Sequence, residues 1–559
     1  MKKIGLISLL LVTLVMQWPA AQAQRNGNSS ASAHGNPELI TAAQMKDYLY
    51  FIASDEMEGR NTPSRGLNIV AKFIALNLSR WGFKPVGDDG TFFQRIALKQ
   101  NKVDVAQTRA QLNNQSFTTG DDFIPQFTAG TANGQLVYAG HGWIIKAKNI
   151  NPYQGIDVRD KIVVIVGNGF QRPIGITNVD TPQGKQGEEW DSPQTYLTRN
   201  GAKGVVLIPS PFFISDWARN RQNAFEGSGT TVEKLPPRGG GGGGRQQGLG
   251  LPAIAASEKM IKAIFEGEKL DVAKVLQDPT AVGESFALSP SKQMSFTVTV
   301  APDTIYTQNV VGVLEGTDPV LKNEYVAMGA HYDHVGNSIS TNCRPIDGDT
   351  ICNGADDDGS GTTAILAMAE AFSHGARPKR SLLFVWHCGE EKSLWGSAYI
   401  NEFPIIPLNQ IITQLNIDMI GRSKKEGDTN PRNKELSGPN EIYVIGSKMM
   451  STELGELSER INNSYLKLNF NYKYDDPRDP NRFFFRSDHF NYAQKGIPII
   501  FYFDGEHEDY HRPTDSPDKI DYQKMEKVTR TVYVTAWELA NNIAKRPTVD
   551  KQLPTELRR

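Results

Sequence analysis

The stretch from residue 328 to 361 leaves few folds open. An apolar run at 325–328 ends on small residues and delivers His331 and Asp333 two positions apart. A loop later the chain reads Gly354-Ala355-Asp356-Asp357-Asp358-Gly359-Ser360-Gly361, ahead of a helical stripe formed by Ile365, Met368, Ala369 and Phe372. Three adjacent carboxylates repel one another, and a cation relieves such a run when it lies between a tight turn and an apolar helix. The ordinary alternative is a solvated acidic cap, since Asp358 and Ser360 are both good cap residues.

The next strands shift the balance toward a metal. From residue 298 onward, strand patterns at 307–314, 325–328, 381–386, 411–417, 442–445 and 497–503 alternate with helical ones, closing on a helix over 522–544. That alternation predicts an α/β fold: a mixed, largely parallel sheet sandwiched by helices. In such sheets polar groups gather at the carboxyl ends of strands. Here the 381–386 run leads into His387-Cys388-Gly389-Glu390-Glu391, the 411–417 run into Asp418, and the 497–503 run into Asp504, Glu506, His507, Glu508, Asp509 and His511. These are the nitrogen and oxygen ligands that zinc takes. Two ions fit better than one, because the donors exceed what a single open site needs and a carboxylate in a Gly-flanked turn is able to bridge. Adjacent glutamates suit a division of labour, one on metal and one free as a base.

The rest of the 559-residue chain has room for a second domain, and its 39% hydrophobic and 22% charged residues are ordinary for a globular protein. With 60 Lys and Arg against 62 Asp and Glu, no basic excess exists to hold nucleic acid. Met1-Lys2-Lys3, an apolar run over 4–16 and Ala21-Gln22-Ala23 predict a signal peptide over 1–23, too short to span a bilayer. The expectation is a periplasmic or secreted protein with no transmembrane segment in the mature chain. Residues 24–37 read as a disordered spacer, and helices are expected over 41–54 and 66–81. Between 131 and 290 short apolar runs at 136–139, 161–166, 204–208 and 252–256 predict an inserted, smaller β-rich (α+β) module; it carries six glycines at 239–244, a flexible loop. The peptidase-like remainder is then 38–130 with 291–546, and 547–559 is a tail. Three cysteines are too few for a disulfide framework; Cys343 and Cys352 bracket one loop, and both pairing and free thiols stay open.

Gly329-Ala330-His331-Tyr332-Asp333, the Gly354 to Gly361 block, Gly389-Glu390-Glu391, Asn416-Ile417-Asp418-Met419 and Tyr510-His511 together resemble the five signature blocks of M28 co-catalytic zinc peptidases, in the family's order. Asp55-Glu56-Met57-Glu58-Gly59-Arg60 also resembles the N-terminal part of exported members, and the insert resembles a protease-associated domain through its Asp157 to Val164 and Asn200 to Ile208 segments. The resemblance implies two zinc ions per chain. His331 and Asp418 would hold one, Glu391 and His511 the other, and Asp357 would bridge them, the middle aspartate being the family's bridging position. Glu390 would be the general base, and the carboxylate of Asp333 would hydrogen-bond His331 and fix its tautomer. Ser487-Asp488-His489 resembles a supporting motif.

The implied activity is an aminopeptidase acting on peptide substrates. Alternatives are a carboxypeptidase or dipeptidase of the same fold, a one-zinc glutaminyl cyclase, and a binding protein that has lost catalysis; the last is disfavoured because every ligand position and the base are intact. His334, His374, His387 and His489 are expected to be hydrogen-bonded structural histidines, Cys388 a packing residue, and Glu506 to Asp509 a solvated loop lining the cleft.

Overall fold

The computed structural model describes residues 34–126, 128–167, 185–226, 228–236, 250–278, 280–338 and 343–551. The expected leader, residues 24–33 of the spacer, the glycine run at 239–244 and residues 552–559 of the expected tail lie outside the described residues.

Four parallel strands form the centre of a mixed sheet, in the spatial order Ser381–His387, Tyr325–His331, Ile411–Ile417, Ile499–Phe503. Every residue of Ser381–His387 and Ile411–Ile417 is buried; the middle of Ser381–His387 is accordingly continuous apolar sequence, whereas Ile411–Ile417 also buries Thr413, Gln414 and Asn416, which find hydrogen-bond partners inside. Antiparallel strands extend both sides. Val300–Leu314 pairs with Ser381–His387 and with Phe93–Val103, while Glu441–Ile445 pairs with Ile499–Phe503.

Helices cover both faces. On one, Ala42–Ile52, Arg65–Arg80, Gly361–His374 and Tyr522–Asn541 share a single apolar cluster that includes Leu49, Val70, Ile365, Phe372 and Val532. Phe372 stacks on Tyr533 with ring centroids 4.0 Å apart, and burying an aromatic ring of this size stabilises by about 1.5–3 kcal/mol. Their starts are set locally. Thr41 and Gln44 form a reciprocal capping box, and Asp521 accepts from the Lys524 amide. On the opposite face, Ile400, Met449 and Phe490 pack against Val385, Ile499 and Phe501. Among the described residues no helix is long and apolar enough to cross a membrane.

A second sheet makes the smaller module, in the order Gln115–Phe117, Arg109–Leu112, Gln293–Val298, Gly130–Tyr138, Ile162–Val166, Gly204–Ile208, Ala253–Ala256, Phe123–Pro125. Its limits differ from 131–290. Strands at 109–125 and 293–298 belong to it, whereas Ser228–Val232, from within the expected insert, pairs with Phe93–Val103 at the edge of the large sheet. The physical reason is the long ribbon of Phe93–Val103 on Val300–Leu314, whose register ends with Val103 opposite Val300. The chain leaves and re-enters the large sheet at that point, so pairing sets the boundary and local texture does not.

Candidate metal centre

Because the four central strands are parallel, their carboxyl ends share one edge of the sheet, and His331, Glu390, Glu391, Asp418 and His511 arrive there on successive connections. The acidic turn Ala355–Ser360 is threaded beneath them and runs into the helix Gly361–His374. Two glycines make this turn feasible. Gly354 has φ +58°, and a Cβ there would collide with the Asp357 carbonyl and the His334 ring; at Gly361 a Cβ would strike the Ile417 carbonyl and the Asp358 carboxylate.

The three aspartates have separate tasks. Asp358 is fully buried and accepts from the amides of His331 (3.1 Å), Gly361 (2.8 Å) and Met419 (3.2 Å), so it clamps the turn to two strand ends. Asp356 accepts from the Gly421 amide at 2.6 Å and faces His507 Nε2 at 3.3 Å. Asp357 is the one aimed at the edge: Oδ1 lies 3.2 Å from His331 Nε2 and Oδ2 lies 3.1 Å from His511 Nε2. Its two oxygens thus address two different imidazoles. Asp515 supports the turn from below, accepting from the amides of Asp356 (3.0 and 3.1 Å) and Asp357 (3.2 Å).

Around Asp357 the neighbouring side chains stand on two sides. Asp418 Oδ1 is 3.5 Å from His331 Nε2 on one side, and Glu391 Oε2 is 3.2 Å from His511 Nε2 on the other. Glu390 Oε2 stands 3.9 Å from His331 Nε2. Two groups of candidate ligand atoms emerge, each within 4.8 Å of one another: His334, Asp357, Glu391 and His511; and His331, Asp358 and Asp418. Asp358 differs from the other members in that backbone amides engage both of its oxygens and fix it to the turn.

The site fits a cation. Asp357 Oδ2, Glu391 Oε1, His334 Nδ1 and Nε2 and His511 Nε2 are buried without a hydrogen-bond partner, and orphaned donors of this kind converging on one point are what a metal satisfies. Against the cost of burial, His334, His331 and His511 hold the Asp357 carboxyl well below the ordinary range. Glu391 is likewise brought down to about 2, burial opposing and His511 prevailing. Glu390 goes the other way: burial, aided by Glu391 and Asp418 and opposed by His331, pushes its carboxyl well above the usual value. Two adjacent glutamates are therefore placed in opposite electrostatic settings.

Two assignments need correction. The carboxylate of Asp333 lies 3.7 Å from His331 Nδ1, and the 3.1 Å contact to that nitrogen is made by the Asp333 main-chain oxygen. A carbonyl only accepts, so in the neutral ring Nδ1 carries the proton and Nε2 keeps its lone pair free for a metal. The Asp333 carboxylate accepts instead from the Glu390 amide at 3.1 Å. His334, expected to be structural, belongs to the centre: its Nδ1 is 2.9 Å from Glu391 Oε1 and 3.6 Å from Asp357 Oδ2. Its position three residues after His331 was the available signal. Of the other histidines, His387 pairs with Asp488 at 3.3 Å and Tyr492 at 3.0 Å, His489 bonds the Phe484 carbonyl at 2.8 Å, and His374 is exposed.

Cys388 is buried, and burial pushes its thiol far up, so no thiolate competes at the site. Of the loop after Ile499–Phe503, Glu506 lines the cleft and Glu508 bonds Asn430, while His507 and Asp509 are buried, Asp509 holding Arg422 at 2.8 Å. Cys343 and Cys352 form a disulfide, and Cys352 Sγ lies 3.7 Å from the His511 carbonyl oxygen.

Residues 309–536 match the model described as Peptidase family M28. A protein named "Probable zinc metalloprotease" from Pyrenophora teres f. teres is 36% identical over 129 residues, 23% of this chain and 26% of that protein. One named "Probable leucine aminopeptidase" from Arthroderma benhamiae is 26% identical over 231 residues, 40% of this chain and 56% of that protein. The chain thus spans between about a quarter and a little over half of these curated relatives. Among solved structures, the aminopeptidase from Aneurinibacillus sp. strain AM-1 aligns over 92% of this chain and 98% of its own, at 16% identity and a TM-score of 0.48.

Proposed function

Because residues 309–536 form a domain of peptidase family M28, we propose that this chain is an exported zinc-dependent exopeptidase that removes residues from peptide N-termini. The observation that carries the reading is Asp357, whose two oxygens face His331 and His511 separately, with Glu390 partly buried beside them and outside both candidate ligand groups. Such an arrangement would suit a carboxylate shared by two ions beside a base left free of metal. His331 with Asp418 would hold one ion and Glu391 with His511 the other. When bound, zinc would activate water for attack and polarise the scissile carbonyl.

The chain's own residues supply the proton traffic. Glu390 takes a proton from the attacking water and passes it to the amide nitrogen as the C–N bond breaks. The Asp333 carboxylate, on the Glu390 amide, positions the base. His334, its Nδ1 2.9 Å from Glu391 Oε1, stands in the same candidate ligand group as Glu391 and His511 and would add an imidazole to that side. Export is supported by the leader pattern over 1–23 and by the Cys343–Cys352 disulfide, a bond kept in oxidising compartments.

Zinc per chain, measured beside a peptide screen, tests the proposal. Two ions and release of free N-terminal amino acids are expected; cleavage confined to N-terminally blocked peptides overturns the aminopeptidase reading. In the same assay Glu390→Gln should keep both ions and lose turnover by about 100-fold to 10,000-fold, the range for general acid–base catalysis. Glu391→Ala should lose metal first. Full activity in Glu390→Gln would remove the base from the scheme.

A further inference from the structure

The candidate centre opens into a cleft whose wall is aromatic and apolar, formed by Met419, Phe483, Phe501 and Phe503. Two charges stand on its lining that the chemistry above does not use. Arg486 follows the turn Phe483–Phe485, and Glu506 lies on the loop after Ile499–Phe503. Their side chains pair at 2.6 Å, with Arg486 also 3.5 Å from the Tyr510 hydroxyl and its guanidinium 5.0 Å from the Phe483 ring centre. The other charged residues on the lining, Asp357, Glu390 and Asp418, belong to the centre itself.

We propose that Arg486 and Glu506 act as a charge lock that sets which N-terminal residue the enzyme accepts, a proposal that rests on the aminopeptidase reading above. Paired, the two cancel, and the cleft offers a side chain aromatic walls with no net charge at the margin. An apolar side chain gains by leaving water there, whereas a charged one gives up hydration and finds no free partner. Both members remain partly exposed, at 40% and 36%, so the pair is held loosely and removing one partner leaves the other solvated and facing the cleft. Specificity then resides in the balance of the pair and in the repulsion each member offers to like charge.

The test uses the zinc-loaded full chain and three free-amino anilides, of leucine, glutamate and lysine. In the wild type, kcat/KM for leucine should exceed that for either charged substrate by on the order of 100-fold, the scale a single pocket contact sets. Glu506→Gln leaves Arg486 unpaired and should raise glutamate relative to leucine by about 10-fold; Arg486→Gln should raise lysine relative to leucine by a similar factor. The double variant should lose both gains, which a general loosening of the loops would not produce. Gains in the single variants should shrink with added salt. Zinc content should be equal in all four proteins, since neither residue is a ligand. The lock is overturned if each single variant changes all three substrates by one factor, or if the wild type accepts glutamate or lysine as readily as leucine. Failure of the wild type on every free-amino anilide, with blocked peptides cleaved, instead overturns the aminopeptidase reading and the lock with it.

Discussion

Arg60 shows how single residues outside the ligand set build this site. Its guanidinium is wholly buried and donates to four main-chain carbonyls, those of Tyr332 (3.0 Å), Ile52 (3.0 Å), Asn353 (2.5 Å) and Gly354 (2.9 Å). Burial lowers its pKa to about 10, with Asp333 and Asp357 opposing, so it remains charged at neutral pH and offsets part of the acidic turn it ties down. His489 makes the contrary choice. Burial brings its pKa down from 6.5 to about 3, the bond to the Phe484 carbonyl opposing. The unfolded chain therefore binds a proton that the folded one refuses: stability from this residue is complete above pH 6.5 and declines as pH falls toward 3, by up to about 1.4 kcal/mol per unit. His489→Gln can keep a donor to Phe484 but cannot titrate. Its urea midpoint should sit below the wild type's at pH 7 and fall less steeply between pH 6 and 4. Parallel curves for the two proteins would show that His489 carries none of the acid sensitivity.

At the scale of elements, the loop closed by Cys343 and Cys352 is the part most directly coupled to a proposed ligand. Cys352 precedes the Asn353-Gly354 entry to the acidic turn and touches the His511 backbone, so the disulfide braces the turn and the connection bearing His511 together. Closing a loop of this size restricts the unfolded chain by an amount worth roughly 2–3 kcal/mol. Replacing both cysteines by serine should leave the large sheet folded but loosen the hold on metal, costing on the order of 10-fold in zinc affinity, as loss of supporting contacts around a metal does. Dialysis against a weak chelator, followed by zinc per chain and turnover with and without added zinc, reads this out. Retention of metal equal to the wild type would show that the brace is irrelevant to the centre.

For the whole molecule, the decisive feature is how the smaller module is joined. It emerges from the end of one antiparallel ribbon, where Val103 faces Val300. Replacing residues 104–299 by a two-residue Asn-Gly turn should turn the ribbon into a hairpin and leave a folded, zinc-binding domain whose large sheet loses only its edge strand Ser228–Val232, since two-residue loops of this kind join antiparallel strands directly. Removing only 131–290 should fail. It leaves Arg109–Leu112, Gln115–Phe117, Phe123–Pro125 and Gln293–Val298 with most of their sheet gone, and their apolar faces exposed. Soluble yield and cooperative melting of the two deletions compare the boundaries. Equal behaviour would mean that pairing does not define the module.

The sequence by itself determined the central strands and the helices of one face, because strands buried on both faces of a parallel sheet are dominated by apolar side chains and helical stripes must recur near every fourth residue. It also determined which connections carry imidazoles and carboxylates, since those groups interrupt apolar runs where the strands end. Choosing Asp357 among three aspartates needed the family resemblance; spacing treats the three alike, and only the fold shows Asp358 consumed by backbone amides and Asp357 turned to the edge. Tertiary structure alone decided that His334 stands against Glu391, that Asp333 serves His331 through its carbonyl and Glu390 through its carboxylate, and that Cys343 and Cys352 join. It also drew Ser228–Val232 out of the module and onto the large sheet. Each of these is a pairing between groups distant in the chain or a choice between two atoms of one residue, and local pattern carries information about neither.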